Sequence, residues 1–79
     1  MKLWIANINP GTGEDELRAL LEKYGAPAVG AIEQVPGDGS RPAVIVEVGA
    51  GAELLSRISE RLNGMYWKGR SLTVQAMMR

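Results

Sequence analysis

Pro42-Ala43-Val44-Ile45-Val46-Glu47-Val48 alternates: Val44, Val46 and Val48 point one way, while Ala43, Ile45 and Glu47 point the other. This period, carried by β-branched side chains, makes it the clearest strand of the chain. On its C-terminal side Gly49-Ala50-Gly51 interrupts the pattern. Leu54, Leu55, Ile58 and Leu62 then form an apolar helical stripe, with Arg57, Glu60 and Arg61 left wet. Asn63-Gly64 ends that helix. A connection through Tyr66 and Trp67 leads to a last strand, Leu72-Thr73-Val74-Gln75, with Leu72 and Val74 inward. On the N-terminal side, Pro36-Gly37-Asp38-Gly39-Ser40 has the composition of a hairpin loop. Before it, Ala28 to Val35 reads as a strand whose facing stays open. Either Val29, Ala31, Glu33 and Val35 share a face or Gly30, Ile32 and Gln34 do, and a bulge would reconcile the two.

The remaining N-terminal residues supply one more strand and one more helix. Leu3 to Ile8 alternates Leu3 and Ile5 with Trp4 and Ala6, and Asn9-Pro10-Gly11-Thr12-Gly13 breaks it. Thr12 is the expected N-cap, with Glu14, Asp15 and Glu16 suited to a helix start. Leu17, Leu20, Leu21 and Tyr24 face inward, Arg18, Glu22 and Lys23 face out, and Gly25 and Pro27 stop the helix. The order is β-α-β-β-α-β, an α+β, ferredoxin-like sandwich. Two right-handed β-α-β crossovers interleave into a four-stranded antiparallel sheet with both helices on one face. The other face stays open and is the expected binding surface.

Composition narrows what that surface does. The chain has 79 residues, so residues 1–79 are expected to form one domain. It has no cysteine and no histidine, which removes disulfides, thiolate nucleophiles and the commonest general base and metal ligand. Nine basic and nine acidic residues balance, so no overall positive field draws in nucleic acid. No catalytic residue, metal site or cofactor is expected. Gly11-Thr12-Gly13 lies between a strand and a helix, but acidic residues follow where a phosphate loop needs lysine and a hydroxyl. Met1 to Ala6 is too short for a secretory signal or a membrane span, so a cytoplasmic protein without membrane contact is expected.

Two stretches carry a resemblance to a known family. Leu3-Trp4-Ile5-Ala6-Asn7-Ile8 has the sequence aliphatic, aromatic, aliphatic, small, Asn, aliphatic. Leu62-Asn63-Gly64-Met65-Tyr66-Trp67-Lys68-Gly69-Arg70-Ser71-Leu72-Thr73-Val74 places Leu-Asn-Gly ahead of Gly-Arg and a strand. Together, over the whole chain, they resemble the RNA-recognition-motif (RRM) family. The resemblance implies single-stranded RNA or DNA as partner and the strand order fourth, first, third, second. The family's third-strand motif is a basic residue, Gly, an aromatic, a small residue, an aromatic, Val, any residue and an aromatic. Here Arg41 and Val46 fit, while Pro42 replaces the glycine and Ala43 and Ile45 occupy stacking positions. Each missing stack forfeits about 1–3 kcal/mol, so losing two costs roughly 30-fold to 10⁴-fold in affinity. Glu47, on the same face, repels phosphate. Binding is therefore expected to be weak.

The candidate nucleic-acid-binding residues are Trp4, Arg41, Ala43, Ile45, Thr73, Gln75 and Lys2. Alternation puts Trp4 opposite the core residues Leu3 and Ile5, as a base-stacking ring or a site for a protein side chain. By the resemblance Arg41 contacts phosphate, supplemented by Lys2, Lys68, Arg70 and Arg79. Thr73 and Gln75 would flank Trp4 and offer hydrogen bonds. Trp67 is expected in the core, with Met65 and Tyr66 exposed. Glu53, Arg57 and Glu60 form a solvated helix face. The alternative is a protein-interaction module, self-association included, through the apolar patch of Trp4, Ala43 and Ile45. Met77 and Met78 either fold over that patch or fray.

Overall fold

In a computed structural model, which describes residues 1–35 and 42–77, the expected order appears with one addition. The elements are β1 (Lys2–Ala6), α1 (Glu14–Lys23), β2 (Val29–Val35), β3 (Ala43–Val48), α2 (Ala52–Leu62), β4 (Tyr66–Trp67), β5 (Arg70–Ser71) and β6 (Thr73–Met77). The main sheet has four strands in the order β2-β3-β1-β6. All three pairings within it are antiparallel.

The sheet is held from one side. Leu3 and Ile5 of β1 are fully buried, and with Val44, Val46, Val48 and Val74 they face Leu17 and Leu21 of α1 and Leu55, Ile58 and Leu62 of α2. Burying each such side chain contributes about 1.5–3 kcal/mol, so the alternating aliphatics set the register. Leu54 departs from expectation. It is 41% exposed, because the first turn of α2 carries it past the end of the buried stripe.

Backbone and polar groups explain where the elements stop. Asn7 adopts a left-handed φ of 59°, which Asn tolerates and which ends β1 short of Ile8. Its Nδ2 donates to the Ser71 carbonyl at 2.9 Å, and Asn9 Nδ2 donates to the Lys68 carbonyl at 3.0 Å. Thr12 does not cap α1; Gly13 holds the N-cap position. Its N–H donates to Glu16 Oε2 at 2.9 Å, half of a capping box, while Thr12 Oγ1 is buried without a partner among the described residues.

The ambiguous second strand carries the bulge. Val29 opposes Val48 and Ile32 opposes Val46, with a register shift between them, so both turn toward the core. Arg18, expected in solvent, instead donates to the carbonyls of Val29 at 2.6 Å and Gly30 at 3.1 Å. It thereby satisfies backbone acceptors that the interrupted ladder leaves unpaired.

The connection after α2 is itself structured. Tyr66 pairs with Ser71 and Trp67 with Arg70, around Lys68 (φ 51°) and Gly69 (φ 84°). Positive φ at both central residues is the geometry of a tight hairpin turn. Asn63 Oδ1 accepts the Val74 N–H at 3.0 Å, so the Leu-Asn-Gly segment anchors the start of β6.

Candidate nucleic-acid interface

The register assembles the open face in rows. Trp4 lies directly between Ile45 on β3 and Gln75 on β6, and Ile45 in turn opposes Glu33 on β2. One row further, Lys2 lies between Glu47 and Met77. In the other direction Ala6 opposes Thr73, and Ala43 opposes Val35. Residues directly opposite on a sheet share a face, so these rows form one surface, on the side away from both helices.

Exposure differs along that surface. Lys2, Thr73 and Gln75 are exposed, while Trp4 and Ile45 are half-buried by their neighbours. Ala43 lies on the face but is only 9% exposed, so it forms floor rather than a contact. Trp4, Ala6, Asn7, Ala43 and Thr73 line a shallow hollow of about 450 Å³ beside the indole. Asn7 was not a candidate on sequence grounds, and it reaches the hollow because its left-handed backbone turns the chain there. A second cavity of about 350 Å³, which shares Ala43 with the hollow, lies where Pro10, Thr12 and Leu17 meet Ile32 and Val35. Arg41, Met78 and Arg79 lie outside the described residues. Met77 does not fold over the patch; it is part of β6 and is 36% exposed.

Charge departs from the expectation at Lys68. Among the described residues, the open face carries Lys2 against Glu33 and Glu47, and none of the three forms an ion pair. Lys68 is drawn to α1 instead, where its Nζ bonds Glu16 Oε2 at 2.6 Å. It also lies 5.8 Å from the centre of the Trp67 ring. The Lys68 bond, and next the Gly13 N–H, hold the Glu16 carboxyl below its ordinary value. Tyr66 is 74% exposed, whereas Met65 and Trp67 are half-buried against the core. Met65 is thus more buried than expected, because the hairpin folds it back toward Leu72; its carbonyl accepts the Leu72 N–H at 2.8 Å.

Among the described residues no group of three or more Cys, His, Asp or Glu could hold a metal ion. No described helix is long and apolar enough to cross a membrane.

A single-sided sheet of this topology, with an aromatic ring at the centre of its free face, is the fold of RNA-recognition-motif domains. Solved structures agree. The Pes4 RRM3 structure matches with a TM-score of 0.81 at 18% identity, over 99% of this chain and 92% of that one. The crystal structure of RNA Binding Protein PG1 matches at 0.76 and 28% identity, over 100% and 96% of the two chains. The structure of the Rna15 RRM with bound RNA (GU) matches at 0.77 and 17% identity, over 99% and 83%. No family model matches the chain, and no curated protein matches it.

Proposed function

We propose that the chain is an RNA-binding module that holds a short single strand on the open face of its sheet, with low intrinsic affinity. The position of Trp4 carries this reading. Its indole is accessible at the centre of the free face, with the exposed Gln75 on one side and a hollow along the strand. A base stacked on that ring gains about 1–3 kcal/mol. Gln75 and Thr73 offer donors and acceptors to the base edge, and Lys2 offers a cation to phosphate. Arg41 is assigned the family's phosphate contact by its motif alone.

The weakness follows from what surrounds the ring. Ile45 and Ala43 stand where two more rings would stack, and Glu33 and Glu47 repel phosphate. With nine cations and nine anions in the chain, counterion release adds little. Solved RRM structures, one of them holding RNA, support the general class.

The test is a titration with a degenerate short single-stranded RNA at low salt, and with the matching DNA in parallel. Amide shifts are read throughout, and indole emission in a Trp67→Phe background isolates Trp4. Salt-sensitive shifts centred on Trp4 and Gln75 support the reading, and the DNA arm reports sugar preference. Silence of these residues at millimolar RNA overturns it.

A further inference from the structure

The open face is complementary to itself. On β1 and β3 the rows read Lys2 opposite Glu47, Trp4 opposite Ile45, and Ala6 near Ala43; on the outer strands Gln75 and Glu33 end the Trp4 row. Consider a two-fold axis lying above the sheet, parallel to the strands and midway between β1 and β3. It exchanges β1 with β3 and β6 with β2. Lys2 then meets Glu47 of a second copy, Trp4 meets its Ile45, and Gln75 meets its Glu33. By symmetry each contact occurs twice. Met77, an exposed apolar side chain, falls over the bulge of β2, where Gly30 adds no side chain and Ala31 only a methyl.

From this geometry we infer that the partner of the open face, when RNA is absent, is a second copy of the chain. The charges decide the arrangement. Lys2, Glu33 and Glu47 are exposed and form no ion pair among the described residues, and the two-fold axis gives each an opposite charge or an amide. An axis perpendicular to the strands through the Trp4 row would instead set Glu33 on Glu33 and Gln75 on Gln75. Like charges placed directly opposite disfavour that alternative. Packed sheets sit about 10 Å apart, a gap that an indole and an isoleucine side chain fill.

Size limits the strength of the contact. Four strands about 4.8 Å apart and rows about 6.8 Å apart give a patch of roughly 300 Å² per protomer. Specific stable complexes bury about 800 Å² per partner, so this dimer is transient. The same residues cannot hold RNA and a second copy together. Self-association therefore reduces the fraction of binding-competent protein and lowers apparent RNA affinity as protein concentration rises. That competition rests on the RNA reading above; the self-association does not.

Charge exchange tests the inference. In the full chain without RNA, a dilution series followed by amide shifts and sedimentation should show concentration-dependent changes at Trp4, Ile45 and Gln75. Lys2→Glu sets glutamate against Glu47 twice, and Glu47→Lys sets lysine against Lys2 twice. Each variant alone should weaken self-association by about tenfold. An equimolar mixture of the two should restore it, because every cross-copy pair is then opposite in sign. Mixing Lys2→Glu with Glu53→Lys, on the solvated face of α2, carries the same net charges and should not. Absence of self-association at millimolar protein overturns the inference, as does a mixture that fails to associate or a control mixture that associates equally well. RNA titrations of the same samples keep the two readings apart. Self-association without RNA-induced shifts refutes the nucleic-acid reading alone, and RNA-induced shifts without self-association refute this inference alone.

Discussion

Replacing Ile45 with phenylalanine should tighten RNA binding, and the size of the gain follows from the register. Ile45 lies directly opposite Trp4 on the free face, so a ring there stands next to the indole with its own side open to solvent. The site is half-buried rather than packed beneath a helix, so the larger side chain does not press into the core. A cross-strand aromatic pair in place of aromatic–aliphatic keeps or adds about 0.2–1 kcal/mol of sheet stability. One additional stacked base contributes about 1–3 kcal/mol, which predicts a roughly fivefold to 150-fold lower Kd. The measurement is fluorescence anisotropy of a labelled degenerate RNA at fixed low salt, with protein dilute enough to remain monomeric. Thermal melting checks that the fold is intact. An intact variant with unchanged Kd would refute the assignment of this face, because the second ring would then stand where no base comes.

Three further outcomes concern the scaffold. Gly49→Ala places a Cβ at 2.8 Å from the Ala28 Cβ, while Ala28 itself holds φ at 46°; we expect a loss of about 1–3 kcal/mol in urea denaturation. Asn63→Ala leaves the Val74 N–H without its acceptor, which should cost about 1–3 kcal/mol and speed amide exchange at the start of β6. The Glu16 carboxyl is held below 4.5 in the folded chain, so its stabilising contribution is complete above about pH 4.5 and is lost as pH falls through the lowered folded value. In Lys68→Met the Glu16 side chain, followed by carboxyl NMR, should titrate closer to 4.5 than in the parent.

Much of the architecture was legible because it rests on local patterns. Val44, Val46 and Val48 alternate, Leu17, Leu20 and Leu21 repeat at helical spacing, and Gly25 and Gly64 punctuate the helices; each signal involves residues within a few positions of one another. The bulge in β2 was legible as a conflict between two facings. Its clamp was not, since Arg18 reads as a solvated helix residue until the fold brings the carbonyls of Val29 and Gly30 to it. The cap at Thr12 failed for a related reason: the loop buries that hydroxyl away from the helix start, and Gly13 with the Glu16 carboxylate takes the place. The β4–β5 hairpin was missed because two-residue strands carry no periodicity.

The same division holds for the candidate site. The sequence by itself determined that Trp4 stands opposite Leu3 and Ile5, that two stacking positions on the third strand are aliphatic, and that charge balances. Which residues stand beside Trp4 was decided by pairing between strands about 40 and 70 positions away, and no local rule contains that register. Only the tertiary structure sent Lys68 to Glu16, put Lys2 opposite Glu47, and laid out the rows that a two-fold axis exchanges. Periodicity tells each side chain which face it occupies; long-range pairing of strands tells it whose company it keeps there.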